Sequence, residues 1–245
     1  CALPIFSTPG QGYADGMRFV QMYLGLPLAM IGIAAVAVPI YHRLKLLTPY
    51  EYLEKRFDTK TRLLTAFLFL LQRGLATGLT IYAPSLVLSV LLGWNLSLTI
   101  LVMGGLMITY TVTGGARAVS RTQPQQAAVI FLGMTAAFVV LVWRLPDDVS
   151  ITGALQLAGH LGRLNPIDWT FDLQNRYNIW SGLIGGLFLA LSYFGTDHSQ
   201  VQRYLTGRSV AESRTGLLMN GLLKVPMQFA ILLLGALLFV FYQFN

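Results

Sequence analysis

The stretch LSYFGTDHSQVQRYLTGR, residues Leu191 to Arg208, decides how the chain folds in a membrane and where a site can form. It closes an apolar run that begins near Ile179 and contains the small-residue string SGLIGG, which is typical of helices packed closely in lipid. Gly195 and the polar residues after it interrupt this run, and apolar residues at helical spacing resume from Val201. Two interpretations are open here: an ordinary helix end that enters a loop, or a helix that is broken at a ligand site.

The composition is that of an integral membrane protein. Of the 245 residues, 55% are hydrophobic and only 11% are charged, and the mean hydropathy is +0.61, whereas soluble domains carry about 25% charged residues. The apolar runs are apolar on every face and roughly 20 residues long, which indicates spanning helices rather than the alternating strands of a barrel. The predicted fold class is therefore all-α: a polytopic membrane helical bundle, with residues 1–245 forming a single transmembrane domain.

Six segments are predicted to cross the membrane: residues 19–40, 63–92, 97–113, 123–143, 179–197 and 216–243. Their connections differ in basic residues. One side holds eleven, namely Arg43, Lys45, Lys55, Arg56, Lys60, Arg62, Arg117, Arg121, Arg203, Arg208 and Arg214. The other side holds four, Arg18, Arg144, Arg163 and Arg176, alongside the acids Asp15, Asp147, Asp148, Asp168 and Asp172.

The positive-inside rule places the eleven basic residues in the cytoplasm, and each basic connection then falls on the same side. The net charge of +7 is thus explained by topology, with lipid as the expected surrounding and no nucleic-acid partner. Residues 150–164 carry apolar side chains at helical spacing, which predicts a short amphipathic helix outside, over the bundle. Because the chain begins with Cys1 and ends at Asn245 against an apolar run, we expect it to be an incomplete part of a longer protein.

Charged side chains inside the predicted spans are the strongest candidates for a functional role, since a charge in hydrocarbon costs about 2.5–3.5 kcal/mol. Lys224 lies in the sixth span and Arg73 in the second. Each side chain either extends to the cytoplasmic interface or faces the bundle interior. No catalytic set is present. The three histidines, His42, His160 and His198, fall in separate connections, so no metal site is predicted.

Several stretches, in order along the chain, resemble the sodium:solute symporter family. YFGTDHSQVQRYL (193–205), followed by Lys-Val-Pro at 224–226, matches the family, as do TPYEYLEKRF (48–57), ITYTVTGGARAVSRTQPQQ (108–126) and the hairpin LSVLLGWNLSLTI. The resemblance implies part of a leucine-transporter-like inverted-repeat fold, with the six segments as core helices two to seven. It also implies that the main sodium site, built in the family from core helices one and eight, lies outside this chain.

The resemblance further implies roles for individual residues. Tyr193 and Phe194 stand at the positions of an aromatic inner gate, and Tyr193 and Lys224 at positions that contact substrate. Two positions depart from the family pattern. Ala190 replaces a polar substrate contact of the sugar carriers, which argues against hexose, and Gln123 replaces a frequent Asp in a region linked to sodium exit.

The predicted function is secondary active transport in the plasma (inner) membrane: symport of a small polar or anionic solute with a cation, which the family implies to be sodium. A solute receptor of transporter shape, without turnover, is the alternative. A membrane-embedded enzyme is disfavoured, because the spans lack paired Asp, His or Ser groups for chemistry.

Overall fold

Helices form every regular element in the described part of the chain. The computed structural model describes residues 2–44, 46, 48–146, 149–172, 174–205, 207 and 209–244. Cys1, Lys45, Asp147, Asp148, Arg208 and Asn245, which entered the sequence predictions, lie outside the described residues. In chain order the elements are α1 (Ala2–Asp15), a 3-10 turn (Gly16–Val20), α2 (Gln21–Gly32), a π-helical turn (Ile33–Ala37), α3 (Val38–Leu44), α4 (Pro49–Arg56), α5 (Thr59–Leu92), α6 (Leu96–Trp143), α7 (Ile151–His160), a second π-helical turn (Ser181–Gly185), α8 (Gly186–Thr196), α9 (His198–Leu205) and α10 (Val210–Phe244).

Five helical segments are long and apolar enough to cross a membrane: Ser7–Leu44, Thr59–Leu92, Leu96–Gly115, Thr122–Trp143 and Val210–Phe244. The chain is thus a multi-pass integral membrane protein. The fifth predicted span, residues 179–197, is only a shorter apolar helix, Ser181–Thr196. At 1.5 Å per residue it covers roughly 24 Å, less than the ~30 Å of a hydrocarbon core.

The first span begins at Ser7 rather than at residue 19, because the sequence predicted no helix where α1 lies. Pro9 and Gly10 in STPGQG indicate a loop by local propensity, yet α1 is helical and packs along α10. The two backbones approach at Gly12 and Gly235, where a Cβ on Gly12 would lie 3.2 Å from the Cα of Gly235. Close packing between helices has therefore overridden the local signal. Gly16, with φ +71°, then turns the chain from α1 toward α2.

The predicted connection at 114–122 separates two spans as expected, Leu96–Gly115 and Thr122–Trp143, but it is a bend within α6 rather than a loop. The backbone is helical on both sides of Gly115, which has φ 58° and ψ −163°, a conformation open to glycine and strained for other residues. The predicted hairpin is confirmed as a short turn between α5 and α6. Gly93 ends α5 in the left-handed conformation with φ 68°, and the Asn95 side chain caps α6 by accepting from the amides of Ser97 and Leu98.

The predicted amphipathic helix over 150–164 is confirmed as α7. The Ser150 hydroxyl caps it by accepting from the amide of Gly153 at 3.1 Å. Ala154 and Ala158, one turn apart, are fully buried in a cluster with Leu237 and Val240 of α10, while His160 is exposed as predicted. The helix therefore lies against the bundle through one face.

Helix α2 packs closely against both α8 and α10, and small residues make this possible. A Cβ on Gly25 of α2 would lie 2.6 Å from the Leu183 carbonyl oxygen, inside the backbone of the turn that precedes α8.

We predict that Gly25→Ala lowers the free energy of unfolding by about 1–3 kcal/mol, because overpacking forces the backbones apart. Gly78→Ala in α5 is the matched control, since nothing lies within 4 Å of its added Cβ. Thermal unfolding of the full-length protein in detergent measures both; equal melting temperatures would contradict the close approach.

Residues predicted to share one side of the membrane also lie together in the fold. Arg18 is 3.7 Å from Asp168, and the Gln11 side chain donates to the Tyr177 hydroxyl at 2.9 Å, both on the predicted outer side. Hydrogen bonds from the side chain and amide of Thr170, followed by the nearby Arg18, hold the pKa of Asp168 below its usual range. Its carboxylate therefore stays ionised at neutral pH and can hold the outer connections together.

We predict that Asn165→Cys reacts with an impermeant thiol reagent on intact cells, whereas Thr59→Cys reacts only after permeabilisation. Both positions are exposed in the structure, so the side of the membrane decides the reaction. The predicted cytoplasmic surplus of Lys and Arg sets this orientation. Reaction at Thr59 but not at Asn165 on intact cells would show the opposite topology.

Candidate functional site

The interruption predicted in Leu191–Arg208 is confirmed, but it lies at Asp197 rather than at Gly195. Asp197 alone is extended, with φ −67° and ψ 118°, between the end of α8 and the start of α9. Its carboxylate caps α9 by accepting from the Ser199 amide at 2.9 Å and the Ser199 hydroxyl at 2.5 Å. Gly195 remains helical, and its carbonyl accepts the Tyr41 hydroxyl at 2.8 Å, so a polar partner satisfies the backbone where the glycine predicted a break.

A second irregularity, the π-helical turn Ser181–Gly185, precedes α8 and was not predicted. Gly182 and Gly186 lie against the backbone of Gln21 and Met22, where an added Cβ would clash. The SGLIGG string is the sequence signal, although small residues alone predict close packing and not a π turn. As a result, α8 is a short helix held between a wide turn and a break.

Tyr193 and Phe194 lie near the end of α8 and contact each other edge to face, with ring centroids 4.9 Å apart. Phe194 is 8% exposed and belongs to the central buried cluster, whereas Tyr193 is 40% exposed. The Gln200 side chain of α9 donates to the Tyr193 hydroxyl at 2.8 Å. Helix α8 includes Tyr193, so the backbone at this residue is regular and its ring is held by a hydrogen bond across the break.

Lys224 lies well inside α10, about 14 residues after Val210, or roughly 21 Å along the helix. Its ammonium is 5.8 Å from the ring centre of Tyr23 and 5.6 Å from that of Phe194. Among the described residues, no carboxylate lies within 4 Å of this ammonium. The charge is therefore held by two aromatic faces, a contact worth about 0.5–2 kcal/mol, and has no protein counter-ion in this part of the chain.

Lys224 and Tyr193 line the same cavity, which we call the lysine cavity. It has a volume of about 330 Å³ and lies between α8, α9 and α10, a size suited to a small solute. Among the residues that the structure describes, those of fixed charge in its lining are basic, Lys224 and Arg203. The full lining is Tyr193, Phe194, Gln200, Arg203, Tyr204, Gly216, Leu217, Asn220 and Lys224.

The other face of Tyr193 borders a larger cavity of about 570 Å³, which we call the tyrosine cavity. Its lining is rich in aromatic rings, and among the described residues it contains one acid, Asp197, and no Lys or Arg. The lining residues are Tyr41, Pro49, Tyr50, Tyr52, Leu53, Thr65, Leu68, Phe69, Gln72, Leu189, Ser192, Tyr193, Thr196 and Asp197. Tyr193 thus forms the boundary between two cavities that differ in charge.

The second intramembrane charge has a protein partner. The Arg73 guanidinium of α5 is 3.4 Å from the Asp197 carboxylate at the α8–α9 break. Their side chains are 34% and 12% exposed, respectively. The sequence analysis identified Arg73 as an intramembrane charge but not its pairing with Asp197, since 124 positions separate the two residues. Arg73 therefore belongs to the bundle rather than to the lipid interface.

Four polar residues of the lysine cavity were not predicted as site residues: Gln200, Arg203, Tyr204 and Asn220. A signal exists, because Gln200 and Tyr204, like Asn220 and Lys224, are four residues apart and share a helix face. The Tyr204 hydroxyl is buried and has no hydrogen-bond partner among the described residues. Burial raises the pKa of Tyr204 above its usual value, so this hydroxyl stays protonated and can donate.

The remaining candidate residues lie apart from the lysine cavity. Ala190 is buried in the cluster that α2, α8 and α10 share, and Gln123 is exposed on α6. His42 is 3.1 Å from the Ser213 hydroxyl, and His198 packs against the rings of Tyr50 and Phe69. In the described part of the chain, no group of three His, Cys, Asp or Glu residues is placed to hold a metal ion.

Comparison with known proteins gives relatives over nearly the whole chain. The human sodium/iodide cotransporter is 33% identical over 98% of this chain, and the rabbit sodium-dependent multivitamin transporter is 32% identical over 85%. The mouse sodium-coupled monocarboxylate transporter 1 is 32% identical over 89%. The chain spans 37%, 32% and 35% of these proteins, respectively, about a third of their length.

A solved structure shares the fold. The substrate-bound, outward-open structure of a Na⁺-coupled sialic acid symporter superimposes with a TM-score of 0.85 at 25% identity. The match covers 99% of this chain and 50% of that one. The predicted all-α, leucine-transporter-like membrane bundle is thereby confirmed. Because the model of the sodium:solute symporter family also matches residues 3–245, the chain belongs to that family.

Proposed function

We propose that this chain is part of a sodium-coupled symporter that carries a small polar or anionic solute across the plasma membrane. The observation that carries the proposal is Lys224, a cation inside a membrane span that faces a solute-sized cavity without a carboxylate partner in the described part of the chain. The names of the relatives, which refer to iodide, multivitamins and monocarboxylates, support a solute of this class.

Electrostatics favours an anion over a neutral solute in the lysine cavity. An isolated charge in the hydrocarbon region costs about 2.5–3.5 kcal/mol, and a bound anion between Lys224 and Arg203 would offset part of this cost. Gln200, Asn220 and Tyr204 supply uncharged groups that can hydrogen-bond to the same ligand. A solute with one carboxylate, or a small inorganic anion, fits this lining better than a sugar does.

Sodium enters the proposal as the coupled cargo, and it rests on the family and the relatives. No residue of this chain is assigned to its binding. Coupling requires that the solute move only when the cation moves with it, so access to the cavity must alternate between the two sides of the membrane. Tyr193, at the boundary of the lysine cavity, is the residue we assign to the cytoplasmic barrier.

The test is uptake by the full-length protein reconstituted into liposomes. We expect iodide or lactate to accumulate above its external concentration when an inward sodium gradient is imposed, and not when choline replaces sodium. Glucose is the neutral control and should not accumulate. Binding of an anion without accumulation would contradict transport and favour a receptor, and accumulation independent of sodium would contradict the coupling.

A further inference from the structure

The ion pair between Arg73 and Asp197 joins α5 directly to the break between α8 and α9. The described part of the chain has three ion pairs, the others being Arg18–Asp168 and Arg62–Glu54. Arg73–Asp197 is the least exposed of the three on both sides. Exposed pairs contribute little, about 0–1 kcal/mol, in part because salt and water screen them. A less exposed pair is screened less, and removing one partner leaves the other charge poorly solvated. This pair is thus the one best placed to fix a helix.

The same carboxylate also holds the beginning of α9. Oδ1 of Asp197 accepts from Arg73, from the Ser199 amide and from the Ser199 hydroxyl. Helix α9 has only eight residues, and isolated helices shorter than about 12–15 residues are marginal on their own. The position of α9 therefore depends on what anchors its ends, and Arg73 supplies an anchor from α5.

Helix α9 in turn holds Tyr193. Gln200, the third residue of α9 and 8% exposed, donates a side-chain hydrogen bond to the Tyr193 hydroxyl at 2.8 Å. A continuous series of contacts thus runs from Arg73 to Asp197, through α9 to Gln200, and on to the ring that separates the two cavities. Each contact is direct, and the series crosses the only non-helical residue between α8 and α9.

We infer that Arg73 and Asp197 are positioning residues for the Tyr193 barrier: their ion pair holds α9 so that Gln200 keeps the tyrosine ring between the cavities. The inference rests on the proposed function, in which Tyr193 closes the solute path toward the cytoplasm. Neither residue lines the lysine cavity. Loss of the pair should therefore weaken coupling while leaving solute affinity from outside unchanged.

The experiment uses the full-length protein and two independent readouts. Hydrogen exchange of peptides covering Asp197–Leu205 reports the anchoring of α9, since local opening sets exchange. The accumulation ratio of iodide or lactate in proteoliposomes reports coupling. For Arg73→Gln we expect exchange to become at least about fivefold faster and the accumulation ratio to fall by at least about fivefold, the lower range of typical coupling effects.

Three further variants separate the steps. Asp197→Asn should reproduce Arg73→Gln, because asparagine retains the helix cap and removes only the charge; the double variant should be no worse than either single one. Gln200→Leu should lower accumulation without faster exchange at the start of α9. Arg18→Gln, which removes a similar ion pair on the predicted outer side, should change neither readout.

The outcomes are distinct. Unchanged exchange in Arg73→Gln would overturn the anchoring of α9, and faster exchange with normal accumulation would overturn the link to Tyr193. An effect of Arg18→Gln as large as that of Arg73→Gln would show general loosening and also overturn the inference. If the wild-type protein accumulates no solute, the proposed function fails, while the exchange measurement still tests the anchor by itself.

Discussion

Lys224→Met should reduce sodium-driven solute uptake by at least about tenfold, the largest effect that we expect from a single substitution. Methionine is similar in length and apolar, so it fills the space between the rings of Tyr23 and Phe194 and removes only the charge. A hydrogen bond to a charged group is worth about 1.5–3 kcal/mol, which corresponds to roughly 10- to 100-fold in affinity. The initial rate of iodide or lactate uptake at low concentration measures this loss.

The control for this variant is Lys224→Arg, which keeps the positive charge and should retain more uptake than methionine. Size-exclusion elution and melting temperature must stay near those of the wild-type protein for both variants. Methionine relieves the burial of a charge in the membrane, so we expect it to fold at least as well. Wild-type uptake and affinity in Lys224→Met would reject any role of this lysine in solute binding.

Tyr193→Ala should lower the accumulation ratio of the solute by about tenfold or more. The affinity for solute on the external side should change much less. The ring forms the boundary between the lysine cavity and the tyrosine cavity, and alanine leaves that boundary open. A transporter that cannot close one side lets solute flow back down its gradient. The accumulation ratio and the external affinity, both from reconstituted protein, measure the two effects.

Tyr193→Phe is the matched control because it retains the ring and loses only the hydroxyl. That hydroxyl accepts the bond from Gln200 at 2.8 Å, and a single neutral hydrogen bond contributes about 0.5–1.5 kcal/mol. We therefore expect a loss of accumulation that is clearly smaller than for alanine. If the Tyr193→Ala variant accumulates solute as the wild-type protein does, the Tyr193 ring only fills space in the bundle and another residue forms the barrier.

The long helices could be predicted from sequence because their signal is local. A run of about 20 apolar residues specifies a membrane helix whatever it contacts, and the predicted spans 63–92 and 216–243 lie within α5 and α10. The short α7 was found for a similar reason, since its apolar face repeats at helical spacing. Charge asymmetry between the connections is also readable from the sequence alone.

What the sequence could not show depends on contacts between distant segments. Helix α1 contains Pro9 and two glycines that predict a loop, and only its packing against α10 accounts for the helix. The Gly195 carbonyl lies in the last turn of α8 and accepts a hydrogen bond from the Tyr41 hydroxyl of α3. The two residues are 154 positions apart, so the sequence does not indicate this contact. The pairing of Arg73 with Asp197 likewise appears only when α5 is placed beside the α8–α9 break.

The π-helical turn Ser181–Gly185 can absorb a change in chain length without turning Tyr193 away from the lysine cavity. A π turn holds about one residue more than an α turn, so deleting one residue here would leave a regular α turn and keep α8 in its orientation. Between this turn and Tyr193 the helix is regular, and each residue advances the chain by about 100° around the axis. A deletion there would rotate Tyr193 away from the boundary and bring a neighbour into its place. We therefore expect relatives to differ in length at the wide turn rather than within α8, which leaves the barrier in place while the rest of the lining changes by substitution.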